Sequence, residues 1–381
     1  MYVLSADEYQ GVKELFKRLC EDQPMCAAVL EGIHSGVVCC DKFPEPSTAY
    51  LQTCLGSENE AQWGFLAGEP HRGQFMHDLN RSLFDRRLVR ESVPLVFFTC
   101  DAHDWTGALE QVFDPYPLTT VPRRHYVCRG FNRDWKEEIP RGFSIERMDG
   151  ELLRRKNLEI PEEVQLILKK WSRVWEPRFS DYGFVAIDDL STPVKVAAWA
   201  TVDFVVNGVG DLGMFTSNEY RKRGLAYLTS AACLAHGMAG GIGQIFWTCM
   251  EENSGSIATA EKLGLERGAD YTMYLLIFDP IEHRATRAYY QMASGEYQQA
   301  ADTLEDIISA NSNFPEWVLI DAAHAWAALG EGEKALVHLN SLAVRGEKDL
   351  GSFEKDPAFA SLHDLPGWQS FIARIKENAR Q

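Results

Sequence analysis

The stretch Asp211-Leu-Gly-Met-Phe-Thr-Ser-Asn-Glu-Tyr-Arg-Lys-Arg-Gly-Leu-Ala226 decides the reading of this chain. Its first residues alternate as a strand does. They run through a short loop into a long amphipathic helix, which the spacing predicts over Arg221–Ala239. At the junction stands Arg221-x-x-Gly224-x-Ala226. The first turn of a helix carries unpaired backbone N–H groups and a partial positive charge. A glycine there lets an anion approach the backbone without a Cβ in its way. Arg221, Lys222 and Arg223 add positive charge in a protein whose formal net charge is −17. Together these features suit a pyrophosphate.

Working outward, a strand is predicted over Ile245–Cys249. It overlaps the stretch Trp247-Thr-Cys-Met-Glu-Glu-Asn253-Ser-Gly-Ser256-Ile-Ala258-Thr-Ala-Glu-Lys262-Leu-Gly264-Leu265, with a helix over Ser254–Leu263. Upstream, Phe143–Met148 reads as a strand, and Glu151–Asn157 and Pro161–Val174 as helices. Phe184–Ile187 and Val194–Val206 read as strands, parted by the turn-forming 188–193 segment. Gly208-Val-Gly210 turns into the strand beginning at Asp211, and strands across Glu266–Phe278 close the region.

The two motifs resemble the R/Q-x-x-G-x-G/A signature and the strand–Asn–helix–Lys-Leu-Gly-Phe segment of the GNAT superfamily of N-acetyltransferases. The order of elements from Phe143 to Phe278 matches as well. The resemblance implies a GNAT fold with a mixed central sheet and acetyl-CoA as co-substrate. It implies that the backbone of Arg221, Lys222, Arg223, Gly224, Leu225 and Ala226 holds the CoA pyrophosphate. Met214, Phe215 and Thr216 would pair with the pantetheine arm between two strands that splay apart. Asn253 would approach the pantetheine, with Ser256 also in reach of the cofactor.

Acetyl transfer to an amine needs a base, because an alkylammonium has a pKa near ~10. Asp211 is the first candidate, since many relatives place a carboxylate at this strand start. Glu251 and Glu252 are the second; they equally suit the start of the next helix as favourable negative charge. Many members carry a tyrosine seven residues after the motif asparagine as general acid, and here that position is Ala260. Tyr271 or Tyr274 would have to substitute, or water. Cys249 ends the strand near the expected thioester and reads as a buried thiol in preference to an acyl relay. His236 reads as a residue of the helix face. Trp171 and Trp175, spaced i, i+4, and Trp199 read as core or as the wall of an apolar acceptor pocket.

The remaining chain has two other patterns. Residues 1–138 read as a mixed α/β domain that resembles a degenerate copy of the same fold, on Leu66-Ala-Gly68, Trp105 and the strand around Tyr126. Its predicted elements include helices over Asp7–Leu19, Gln74–Val89 and His103–Phe113, and strands over Val93–Cys100 and Arg124–Arg129. Residues 139–279 are the expected catalytic domain. Residues 280–381 read as helices only. There Tyr290-x4-Gly295-Glu-Tyr-Gln-Gln-Ala300 is echoed 35 residues on by Ala325-x4-Gly330-Glu-Gly-Glu-Lys-Ala335. That offset is close to the ~34 of a tetratricopeptide repeat, which implies a TPR-like helical block able to dock a protein.

Composition narrows the partners. The chain has 381 residues, 38 Lys and Arg against 55 Asp and Glu. That balance argues against nucleic acid, which needs clustered basic residues. No run reaches the ~18 apolar residues of a membrane helix, and the N-terminus lacks an apolar signal segment, so a cytoplasmic location is expected. Nine cysteines without a C-x-x-C pair fit reduced thiols. His71 and His77 have no third ligand in suitable spacing, so no metal is expected. The expected function is transfer of an acetyl group from acetyl-CoA to a small-molecule or peptide amine, in a ternary complex. The alternative is a non-catalytic CoA-binding regulator that docks a protein through its helical repeats.

Overall fold

The computed structural model describes residues 1–54, 61–71, 73–173, 182–310 and 313–380, with residues 153 and 169–173 described by backbone alone. Trp175 and the side chain of Trp171, expected in the core or in the wall of an acceptor pocket, lie outside the described residues. The chain divides into two compact units. One comprises Met1–Val93, Phe97–Val112 and Val121–Tyr274; the other comprises Pro94–Val96, Phe113–Thr120 and Leu275–Gln381.

In chain order the first half begins β1 (Tyr2–Val3), α1 (Lys13–Asp22), α2 (Pro24–Leu30), β2 (Gly36–Cys40), β3 (Thr48–Thr53) and β4 (Gln62–Gly68). It continues α3 (Gln74–Phe84), β5 (Leu95–Cys100), α4 (Thr106–Phe113) and β6 (Thr120–Cys128). Next come β7 (Phe143–Arg147), β8 (Leu158–Glu159), α5 (Glu162–Arg173), β9 (Gly183–Asp188), β10 (Val194–Val206) and β11 (Val209–Thr216). Then follow α6 (Leu225–Ala239), β12 (Gln244–Met250), α7 (Ser254–Leu263), β13 (Glu266–Arg267) and β14 (Tyr271–Ile277). The strands form one mixed sheet in the order β1-β2-β3-β4-β5-β14-β6-β12-β11-β10-β9-β7, with β13 on β6 and β8 on β10.

Two strands stand apart from their expected neighbours. The strand read at Arg124–Arg129 as the last of the first region is β6, and it pairs with β12 from Cys128/Ile245 to Arg123/Met250. The strand expected to close the second region, β14, lies instead between β5 and β6. The reason is physical: β5 and β12 are both apolar strands, and period-2 alternation names a strand without naming its partner.

The β10–β11 hairpin turns on Asn207 and Gly208, with φ of 51° and 75°. Positive φ at both central residues matches the strand twist, which is why Asn-Gly serves here. The register slips between Asp203 and Val206, where Phe204 has φ 54°. This bulge bends β10 just past Asp203. Leu212 of β11 and Ile245, Trp247 and Cys249 of β12 pack with Leu225, Leu228, Ala231 and Ala232 of α6 in one core. That core fixes the helix N-terminus against the strand ends.

Residues 280–381 supply α8 (Pro280–Ala293), α9 (Tyr297–Ala310), α10 (Trp317–Ala328), α11 (Gly332–Val344), α12 (Leu350–Glu354) and α13 (Pro366–Asn378). Gly295 and Gly330 sit in turns with φ of 82° and 77°. Ala300 and Ala335 are fully buried in a core with Leu304, Leu339 and Phe371. Ala335→Leu adds three heavy atoms at a fully buried position. It is expected to destabilise the helical unit by about 1–3 kcal/mol, read as a lowered midpoint in thermal unfolding. A midpoint equal to wild type would mean that the helices do not pack through this alanine.

Candidate active site

β11 and β12 run parallel and pair at Val209/Gln244, Gly210/Ile245 and Asp211/Phe246. Beyond Asp211 the two strands part, among the described residues. β11 runs on to Thr216 against β10, and β12 runs on to Met250 against β6. A wedge therefore opens between Leu212–Thr216 and Trp247–Met250, with Asp211 at its vertex. Backbone groups on strand edges that face a wedge are free to bind an extended ligand arm.

At the open end of the wedge lies the loop before α6. Helix α6 begins at Leu225, four residues later than the sequence suggested. Lys222 and Gly224 are left-handed, with φ of 61° and 79°, so Arg221–Gly224 stay outside the helix. The Leu228 N–H makes the bond back to Gly224 O at 3.1 Å. The N–H groups of Leu225, Ala226 and Tyr227 precede it and are the helix's orphan donors. A Cβ built on Gly224 would meet nothing within 4 Å. Arg221, Lys222, Arg223 and Gly224 are all exposed. Arg221 Nε reaches Thr216 O at 3.4 Å, and Arg223 lies over the Tyr220 ring at 5.3 Å. The loop is an open, positively charged cradle of the kind a pyrophosphate requires.

Asp211 shares one face of the sheet with Phe246, its pair on β12. Asp203 stands directly across on β10, and accepts from Thr201 Oγ1 at 2.8 Å. Loss of surrounding water, with the Asp203 carboxylate adding, pushes the Asp211 pKa up to about 6; Arg123 opposes the rise. On the same face of β6, Arg123 donates from Nη2 to Thr248 Oγ1 at 2.8 Å, and its Nε is buried without a partner. His125 lies opposite Thr248, two residues from Arg123, with its ring 4.9 Å from that of Phe246. Asp203, Arg123, Thr248 and His125 did not stand out in the sequence. No local motif marks them; only the pairing of β6 with β12 brings Arg123 and His125 to this face.

The other expected residues fall as follows. Met214 packs towards the α6 core, while Phe215 is exposed, its ring 4.6 Å from that of Trp199. Thr216 Oγ1 is buried without a partner. Glu251 follows β12 and is ion-paired with Arg124, which also holds Asp270 at 2.5 Å. Asn253 caps α7 by accepting the Ser256 N–H at 3.0 Å. Ser256 Oγ accepts from Trp247 Nε1 at 3.0 Å, behind the wedge. Burial pushes the Cys249 thiol up, against hydrogen bonds from Ser256 and Trp247. Ala260 is fully buried in the same core. Tyr271 is half-buried at the start of β14. Tyr274 has its phenol raised by burial near Cys100. His236 faces the rings of Tyr182 and Phe184.

Among the described residues, no cluster of three or more His, Cys, Asp or Glu is placed to hold a metal ion. No helix among them is long and apolar enough to cross a membrane.

An N-acetyltransferase of Bacillus subtilis strain 168, YdfB, itself described as uncharacterized, is 23% identical over 278 residues. The match covers 71% of this chain and 97% of that protein. A GCN5-related N-acetyltransferase-like protein from Streptococcus suis aligns at 19% identity and TM-score 0.45, over 69% of this chain and 99% of the other. A GCN5-related N-acetyltransferase from Sphaerobacter thermophilus aligns at 12% identity and TM-score 0.49, over 73% and 95%. The family model described as GNAT acetyltransferase matches residues 13–274, which include the wedge, the α6 cradle and Asp211. The chain belongs to the GNAT acetyltransferase family, whose chemistry is acyl transfer from acetyl-CoA to an acceptor.

Proposed function

We propose that the chain moves an acetyl group from acetyl-CoA directly to an amine in a ternary complex, with Asp211 as general base. The observation that carries this reading is the parting of β11 and β12 at Asp211, a carboxylate whose pKa is raised to about 6. The N–H groups at the start of α6, with Arg221, Lys222 and Arg223, hold the pyrophosphate. The edge of Met214–Thr216 pairs with the pantetheine amides, which sets the thioester carbonyl near the vertex.

The chemistry then balances. Asp211 takes a proton from the acceptor ammonium, directly or through water. The free amine nitrogen attacks the thioester carbon; a C–N bond forms and the C–S bond breaks. The nitrogen sheds its second proton, and the leaving thiolate is protonated by water, since Ala260 offers no donor. A base with a pKa near the working pH suits the first transfer.

The first half reads as a degenerate copy of the same fold. What supports this is a run of elements that recurs: β2-β3-β4-α3-β5-α4-β6 in the first half parallels β9-β10-β11-α6-β12-α7-β13 in the second. The helices from α8 onward read as TPR-like, on the repeated Gly–Ala spacing.

The test is turnover by the full-length protein. Purified chain with acetyl-CoA and a panel of amines should release free CoA thiol only when amine is present, with acetylated amine detected by mass spectrometry. Tight acetyl-CoA binding with no acetylated product across the panel would replace this reading with that of a CoA-binding regulator.

A further inference from the structure

We propose that a cavity beside His125 is the pocket for the acceptor's second, non-reacting nitrogen, which makes the acceptor a diamine or polyamine. This rests on the acetyl-transfer reading above. The cavity has a volume of about 300 Å³ and lies between the C-terminal end of α1, the loop after β5 and the start of β14. Asp22, Asp101, Trp105, His125, Tyr271 and Tyr274 line it, with Arg18 also on its wall.

The floor carries the decisive group. His125 is 4% exposed, and its Nε2 is buried without a partner. The ring hydrogen-bonds the backbone of Ala269, and burial holds it in the neutral form. Nδ1 therefore donates to the backbone, and Nε2 presents a lone pair. A buried acceptor with nothing to accept is costly in a folded protein unless a ligand supplies the donor.

The walls favour a cation. Asp101 receives Gly68 N–H at 2.8 Å, Trp105 Nε1 at 2.8 Å and the His103 ring at 2.8 Å, which keeps its pKa low and its charge on. Asp22 is exposed at the rim, and its charge acts on His125. Asp270 is tied to Arg124 and Arg267 and adds no net charge of its own. A protonated nitrogen fits this set: it donates to His125 Nε2, faces the carboxylates, and packs against Tyr271 and Trp105. Against these carboxylates the lining sets one cationic side chain of its own that no carboxylate of the lining neutralises, Arg18, beside neutral donors such as Tyr271 and Tyr274.

The cavity also lies on the same face of the sheet as the base, with His125 opposite Thr248, two residues along β12 from Phe246, the pair of Asp211. Asp211 is on β11, His125 is on β6, and β12 runs between them, all on one face. Two strand spacings and two residues along the strand place the two positions about 12 Å apart. An acceptor that reaches both therefore has about a spermidine's length between its terminal nitrogens.

The test compares spermidine with octylamine, a chain of similar length that lacks the second nitrogen. In the full-length protein spermidine should show a KM at least ~10-fold lower, the worth of one charge-assisted contact. His125→Phe, which removes the Nε2 acceptor while keeping a flat ring, should erase that difference by raising the spermidine KM towards the octylamine value. Asp22→Asn, an exposed substitution that cannot compromise the core, should reduce the same ratio. Equal KM values for the two amines in the wild type, or a ratio unmoved by both variants, would overturn the proposal. If neither amine is acetylated while another amine of the panel is, the proposal is overturned and the acetyl-transfer reading stands; if no amine of the panel is acetylated, the acetyl-transfer reading fails on its own. Calorimetric titration of spermidine then decides the cavity: binding weakened in both variants supports it, and no binding to the wild type overturns it.

Discussion

Gly224→Asp is expected to abolish measurable acetyl-CoA binding, a loss of about 100- to 1,000-fold in affinity, with the fold intact. The new side chain has room, because a Cβ at this position meets nothing within 4 Å. That open volume is where the pyrophosphate is placed. A carboxylate about 4 Å from one phosphate charge costs on the order of 4 kcal/mol at an effective dielectric of 20. Such a cost corresponds to about three decades in affinity, and salt screening trims it. The backbone strain of φ +79° falls on the free protein and the complex alike. Gly224→Ala isolates it: the alanine variant shares the strain without the charge, and should lose far less affinity. Calorimetric titration of wild type and both variants reads this directly. Equal affinity in all three would mean that the pyrophosphate does not sit at the start of α6.

Local sequence carried the parts of the site that local physics determines. Arg221-x-x-Gly224 declares a helix start with an open backbone, and the only revision is that Lys222 and Gly224 turn left-handed and delay α6 to Leu225. Asp211 was legible from its place at a strand start, although nothing in sequence reveals that Asp203 stands across from it. That pairing depends on the register of the β10–β11 hairpin and the bulge at Phe204. Arg123 and His125 were beyond reach, because strand partners far apart in sequence are chosen by edges and packing rather than by composition. Helix α2 was missed for a related reason: all seven residues of Pro24–Leu30 are buried, so it has no polar face to give a helical period. The tryptophan at 247 was legible as part of a motif, yet its role in holding Ser256 was not.

Asp211→Asn is expected to lower kcat by about 100- to 1,000-fold, the usual worth of a positioned general base. Its pH signature separates it from a structural lesion. With the Asp211 pKa at about 6, the wild-type kcat/KM should fall tenfold per pH unit below that value and level off above it. The asparagine variant should lack this limb. Asp203→Asn gives an independent check, since the Asp203 carboxylate raises the Asp211 pKa. Removing that charge should move the limb to lower pH while most of the activity survives. Arg123→Gln should move it the other way, because the guanidinium holds the value down. Stability has a definite sign as well. A carboxyl whose folded pKa lies above its unfolded one stabilises the fold at low pH and loses that contribution as pH rises through about 6. The Asp211→Asn protein should therefore be no less stable than wild type at neutral pH, although it is far less active. A loss of activity accompanied by a lowered unfolding midpoint, with the acid limb still present, would assign the proton transfer to another group.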